Sequence, residues 1–131
     1  MDIIEKIKGY FSNKNIEMIY IFGSFSRDEL REGSDIDIAI ITDYDLEKHI
    51  NYINDLENIL NCDIDLINFN KIDINFQSEI IIEGKCIFFK DEYEKQKLEM
   101  RILSNYLTFE EDRKIVIDAI YERGSVFSWK E

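Results

Sequence analysis

Two aspartates at the start of an apolar run constrain the fold of this chain more than any other feature. Residues 34–41 read SDIDIAII and are rich in isoleucine, which predicts a buried strand. Side chains two residues apart on a strand share a face. Asp35 and Asp37 should therefore point the same way, with carboxylates within about 7 Å of each other. Like charges this close repel unless a cation lies between them, so the pair is a candidate metal site. A solvated strand face would show the same spacing.

A glycine and a serine lie upstream of the aspartates. Residues 18–22, MIYIF, predict a short buried strand that ends at Gly23. Gly23 has no Cβ and allows a close approach of the backbone to a ligand. Ser24 can cap a following helix, whose free N–H groups would face an anion. The pair alone is also typical of a plain strand-to-helix connection. Together with the aspartates, it predicts a phosphate turn beside a magnesium site, because Mg²⁺ binds carboxylates and substrate phosphates.

These residues resemble a known signature. Gly23 and Ser24, ten intervening residues and then the sequence Asp-Ile-Asp at positions 35–37 are similar to the GSx10DxD motif of the DNA polymerase β-like nucleotidyltransferase superfamily. The short chain resembles the minimal branch of that superfamily, the MntA-type antitoxins paired with HEPN toxins. The resemblance covers most of the chain and is less diagnostic from residue 91 onward. It implies a third carboxylate before an aliphatic pair in the third strand. Asp65 fits this description, and Asp63 on the same face is the alternative.

Hydrophobic periodicity predicts the remaining elements. Apolar residues three or four apart predict helices over the first dozen residues and over residues 46–60, 72–83 and 92–107. Strands are predicted over residues 63–69 and 85–89, and a capping box at residues 108–111 starts a last helix that runs to Arg123. We expect a small α/β domain with a mixed sheet of about four strands. Helices should back this sheet, with the carboxylates on its other face.

Length and charge set further bounds. The 131 residues suit a single domain, with a catalytic core over about residues 16–90 and a helical segment over about residues 91–131. The net charge of −12 argues against direct nucleic-acid binding, which requires basic surface. It favours a basic protein partner, although solubility alone would also explain it. The chain shows neither a signal peptide nor a membrane-length apolar run, so we expect a cytoplasmic protein.

The resemblance implies a magnesium-dependent protein adenylyltransferase that acts as an antitoxin. Such an enzyme would transfer AMP from ATP to a hydroxyl group, expected to be that of a tyrosine, on a cognate HEPN ribonuclease toxin. It would release pyrophosphate, use two Mg²⁺ ions and form a hetero-oligomer with the toxin. Asp35, Asp37 and Asp65 would be the catalytic and metal-binding residues, and Gly23 and Ser24 would bind the nucleotide. Two alternatives are a small-molecule nucleotidyltransferase of the aminoglycoside-modifying type and a toxin-binding antitoxin without catalysis.

Three other features allow more than one interpretation. Arg27 either reaches the phosphates or pairs with acidic neighbours. The apolar residues near the C-terminus, including Phe127 and Trp129, either bind a partner or pack within a helix bundle. His49 is the only histidine, and the sequence places no cysteine or second histidine to share a metal with it. Histidine-based nucleophilic catalysis is therefore not predicted.

Overall fold

The centre of the molecule is a mixed four-stranded sheet. The computed structural model describes residues 2–23 and 35–106. Within these ranges the strands are β1 (Met18–Phe22), β2 (Ile36–Ile41), β3 (Ile64–Asn68) and β4 (Lys85–Phe89), in the spatial order β3-β2-β1-β4. β1 is antiparallel to both β2 and β4, whereas β2 and β3 are parallel. The predicted mixed sheet is confirmed.

Helices precede, connect and follow the strands, and the first three begin at aspartate caps. They are α1 (Ile3–Phe11), α2 (Leu46–Leu60), α3 (Ile74–Glu83) and α4 (Glu92–Tyr106). Asp2, Asp45 and Asp73 are the N-caps of the first three, and each side chain accepts a hydrogen bond from a backbone N–H three residues later. A 3-10 turn, Phe69–Lys71, follows β3. This turn explains why β3 ends before Phe69 and why α3 starts later than its periodicity predicts.

Helices pack on both faces of the sheet. On one face, α1 and α2 cover the alternating residues Ile36, Ile38 and Ile40 of β2. On the other face, α3 and α4 pack against Ala39 and Ile41. Asp37 lies two residues before Ala39 and therefore on this second face, so the expectation that helices back only the face opposite the carboxylates is corrected. Asp37 stays partly exposed because it lies at the end of β2, beyond the part of the face that these helices cover.

A buried polar network joins α4 to the centre of the sheet. Glu99 is fully buried and accepts hydrogen bonds from the Tyr20 hydroxyl and from Lys95 Nζ at 3.3 Å. Burial, followed by the charge of Glu99, raises the pKa of Tyr20 well above its ordinary value, so Tyr20 keeps its proton and donates it. The network compensates the charge of Glu99, which would otherwise be buried alone. It also ties α4 to β1, the strand that leads into Gly23.

Several sequence expectations fall outside the described residues. They concern Ser24, Arg27 and the predicted last helix that begins at residues 108–111 and runs to Arg123, together with Phe127 and Trp129. None of the helices within the described ranges combines the length and apolar character that a membrane crossing requires.

Candidate active site

The strands bring a glycine turn and two carboxylates to the same end of the sheet. β2 and β3 are parallel, so their first residues are neighbours, and the antiparallel β1 ends beside them. The register places Asp37 opposite Phe22 on one side and opposite Asp65 on the other. Gly23 follows Phe22 directly. Residues that are distant in sequence therefore converge because of strand pairing.

The conformation of Gly23 explains why glycine occupies this turn. Its φ angle is +74°, in the left-handed region where L-residues with a side chain are disfavoured. A Cβ at this position would lie 3.2 Å from Asp37 Cγ and closer than 3.0 Å to Asp37 Oδ2. The turn therefore packs directly against the Asp37 carboxylate. An anion bound at the turn would lie beside that carboxylate, where a cation would be required between them.

Asp37 has a perturbed pKa. Its partial burial is the largest cause, followed by the charge of Asp65, a hydrogen bond with the Asp65 carboxyl and the charge of Asp35, and together they raise the pKa of Asp37 to about 6. A hydrogen bond between two carboxyl groups needs one shared proton. Asp37 and Asp65 therefore repel each other when both are ionised, and a proton or a cation relieves the repulsion.

The predicted site residues differ in how closely they approach. Asp37 and Asp65 form a close pair, whereas Asp35 is exposed, precedes β2 and acts on Asp37 through its charge. Asp63 is exposed and lies outside β3, and its backbone carbonyl accepts a hydrogen bond from Ile36 N at 3.1 Å. No group of three or more acidic, histidine or cysteine side chains within residues 2–23 and 35–106 is arranged as a metal cluster.

The donor set nevertheless suits magnesium. Mg²⁺ prefers oxygen ligands and is commonly held by only one or two carboxylates, with water and substrate phosphates completing its shell. Asp37 and Asp65 supply two such carboxylates side by side, and their mutual repulsion favours a cation between them. The pair therefore fits a metal whose remaining ligands come from solvent and from a nucleotide.

The sequence did not predict the contacts that hold the end of β1 in place before the Gly23 turn. Phe22 meets Phe76 of α3 edge-on, with ring centroids 5.9 Å apart. Gly84 approaches β1 so closely that a Cβ there would lie 2.8 Å from the Ile21 carbonyl oxygen. In the sequence, Gly84 is only the residue that follows the helix predicted over residues 72–83. Its contact with β1 had no local signal, because the contact depends on how β4 pairs with β1.

Known proteins share this architecture. A family model described as "Polymerase beta, Nucleotidyltransferase" matches residues 5–93. Protein adenylyltransferase MntA of Shewanella oneidensis is 23% identical over 107 residues, which are 80% of this chain and 76% of that protein. A crystal structure of a toxin-antitoxin with AMP-PNP has a TM-score of 0.71 at 22% identity, with coverage of 90% of this chain and 98% of that one. A structure of the tri-AMPylated Shewanella oneidensis HEPN toxin in complex with MNT antitoxin has a TM-score of 0.64 at 19% identity, with coverage of 92% and 99%.

The match extends over the sheet and the candidate site. Residues 5–93 make up more than half of the 131 residues and contain the four strands of the described part of the chain. They include the glycine turn and the three aspartates, so the resemblance noted in the sequence is confirmed at the level of the family. This chain belongs to the polymerase beta nucleotidyltransferase family.

Proposed function

We propose that this protein is an antitoxin that transfers AMP from ATP to a hydroxyl group of a HEPN toxin. The observation that carries the proposal is the Asp37–Asp65 carboxylate pair packed against the left-handed Gly23 turn. The similarity to protein adenylyltransferase MntA and to chains from toxin-antitoxin structures supports the choice of substrate. Because the reaction consumes ATP, we also place it in the cytoplasm.

The residues of this chain have separate roles in the proposed reaction. The Gly23 turn has no Cβ and would let the phosphates of ATP approach the backbone, and the nucleotidyltransferase signature implies that Ser24 binds them as well. The toxin hydroxyl oxygen attacks the α-phosphorus in line, and the bond from that phosphorus to the bridging oxygen breaks. Pyrophosphate leaves with the electron pair of the broken bond. Asp65 is exposed at the sheet edge, and one of its carboxylate oxygens takes the proton of the hydroxyl.

Asp37 and Asp65, with Asp35 beside them, would hold Mg²⁺. When bound, two Mg²⁺ ions would neutralise the charge of the phosphates and act as Lewis acids on the transferred group. In the absence of the metal, Asp37 keeps a proton below about pH 6 because of its burial and its acidic neighbours. The carboxylate pair is thus arranged to exchange a proton for a cation near neutral pH.

The two aspartates near the start of β3 provide a matched test. We expect Asp65→Asn to reduce AMP transfer at least about 100-fold, because it removes a charged group worth several kcal/mol at the transition state. Asp63→Asn removes the same charge two residues away and outside the pair, so at saturating HEPN protein it should retain the rate of transfer. The assay incubates each protein with ATP, Mg²⁺ and the purified cognate HEPN protein. Intact-mass spectrometry of that protein then counts the added AMP groups.

Two outcomes would refute the proposal. If the HEPN protein keeps its mass with the unmodified enzyme, no AMP is transferred. If Asp37→Asn still protects cells from the toxin as fully as the unmodified protein, neutralisation depends on binding and not on chemistry. Growth of cells that co-express the toxin with each variant measures this second outcome. Resistance to aminoglycosides in cells that express the protein alone would instead indicate a small-molecule acceptor.

A further inference from the structure

A cavity lies at the end of β3 that is remote from the carboxylate pair. Its volume is about 230 Å³, and it opens between the start of α2 and the 3-10 turn that follows β3. Leu46, Leu66 and Ile67 contribute apolar walls. Tyr44 and His49 stack within it, and the Tyr44 hydroxyl lies 2.8 Å from His49 Nδ1. This mixture of apolar walls and a few polar groups suits one large side chain of a ligand.

The cavity adjoins the open edge of the sheet. β3 is the outermost strand in the sheet order, and no strand in the described ranges lies beyond it. Ile36 N donates to the Asp63 carbonyl, and the backbone groups that bond to the neighbour alternate along a parallel strand. The intervening residues Ile64, Leu66 and Asn68 therefore direct their backbone groups away from β2.

The outward-facing backbone groups of β3 differ in their hydrogen-bond partners. Ile64 N donates to the Glu57 carboxylate at 3.2 Å, so one end of the edge is closed by a side chain. Leu66 and Asn68 lie farther along, beside the cavity that they help to line. A protein that exposes such an edge offers unpaired backbone groups to an incoming strand.

Charge and exposure indicate the chemistry of that strand. Exposed carboxylates flank the edge at both ends, namely Asp43, Asp45 and Glu47 near the cavity and Asp63 and Asp65 near the active site. Lys71 lines the cavity together with Asp45, and Lys48 is exposed beside Glu47, so three carboxylates and two lysines lie at this end, and Asp63 and Asp65 lie at the other. At the rim, Leu46 is 70% exposed and adds apolar surface next to the apolar walls of the cavity. The surface therefore suits an apolar side chain flanked by lysine or arginine.

We propose that an extended segment of the acceptor protein adds to the outer edge of β3 as a fifth strand. One aliphatic or aromatic side chain of this segment fills the cavity, and basic residues beside it meet the carboxylates at either end. Asp65 and Asn68 are three residues apart, which is about 10 Å along a strand. The acceptor hydroxyl therefore lies about three residues from the buried anchor. This inference rests on the proposed function, because it describes how the substrate of that reaction docks.

A matched pair of substitutions at Asn68 tests the strand addition. The φ angle of Asn68 is −85°, close to the range that proline adopts. Both Asn68→Pro and Asn68→Ala remove the side-chain oxygen that accepts from Asn70 N. Only proline also removes the outward backbone N–H. We expect Asn68→Pro to weaken binding of the purified cognate HEPN protein about tenfold relative to Asn68→Ala.

A second pair tests the anchor cavity. Leu46→Lys places a cation at the rim, whereas Ile59→Lys places the same charge on an exposed residue of α2 that does not line the cavity. We expect Leu46→Lys to weaken binding of the HEPN protein about tenfold and Ile59→Lys to change it less than twofold. Calorimetry without ATP measures binding, and intact-mass spectrometry with ATP measures transfer. At saturating HEPN protein, the rate of transfer should recover in both docking variants, because neither residue belongs to the active site.

The outcomes separate docking from chemistry. Equal binding by Asn68→Pro and Asn68→Ala, or by Leu46→Lys and Ile59→Lys, would overturn the docking site. If the unmodified protein binds the HEPN protein but transfers no AMP, the proposed function fails, and the binding data still decide the docking site. If sedimentation shows that this chain pairs with itself and that Asn68→Pro abolishes the pairing, the occupant is a second copy and the assignment to the acceptor is overturned.

Discussion

A Gly23→Ala substitution should remove most transferase activity while the protein stays folded. Alanine at a φ angle of +74° would lower the folding stability of the protein by about 1–2 kcal/mol. The new Cβ would lie closer than 3.0 Å to Asp37 Oδ2, which sits at the free end of a short side chain and can rotate away. The collision therefore adds little to the loss of stability. The larger effect is on the activity. The Asp37 carboxylate must move away by about 1 Å, and a displacement of that size can reduce the rate of catalysis about 100-fold.

The assay compares two glycines of the same chain. Gly9 lies in α1 with no atom within 4 Å of a Cβ built there, so Gly9→Ala should gain about 0.5–1 kcal/mol of stability and keep full activity. Urea unfolding gives the stability of each variant, and AMP incorporation into the HEPN protein gives the activity. If Gly23→Ala loses stability as expected but retains activity within about threefold of the unmodified protein, the contact between the turn and Asp37 is not part of the site.

Three further substitutions test other parts of the structure. Because the pKa of Asp37 is raised to about 6, the folded protein binds this proton more tightly than the unfolded chain, and stability should fall as the pH rises from about 4 to about 6. Asp37→Asn should therefore be more stable by about 1 kcal/mol at pH 7, after allowance for solvent screening, and equal near pH 3 in urea unfolding with EDTA. Glu99→Ala should lose about 3–5 kcal/mol in the same assay, because Lys95 remains buried without this partner. Gly84→Ala should lose about 1–3 kcal/mol in melting experiments, because its Cβ would press on two backbone carbonyl oxygens.

Local patterns were sufficient to predict the elements and part of the site. The strands that end at Phe22 and at Ile41 are short isoleucine-rich runs with clear limits, and their positions follow from composition alone. The shared direction of Asp35 and Asp37 is also local, since it depends only on the two-residue period of a strand. The structure adds that Asp37 enters the strand whereas Asp35 stays outside it, exposed to solvent.

The pairing of strands that are distant in the sequence could not be predicted from local patterns. The partner of Asp37 is fixed by the register of β2 and β3, whose sequences are separated by all of α2. The burial pattern of α4 had no local signal either. Glu99 is buried in a network with Lys95 while Tyr93 is 65% exposed, which reverses the usual rule that charged residues face solvent. Such an inversion depends on the Tyr20 hydroxyl, which comes from β1.

The register of β3 links the chemistry to the proposed docking edge. Side chains alternate between the two faces along a strand, so a slip of one residue would move Asp65 to the face of α2 and bring an apolar neighbour opposite Asp37. The same slip would turn the backbone groups of Leu66 and Asn68 towards β2. The observed register is held by Ile64 and Leu66, which are buried in the core against α2 and resist the slip because it would expose them. Apolar burial on one face of β3 thus fixes both the carboxylate on the opposite face and the direction of the backbone groups at the edge.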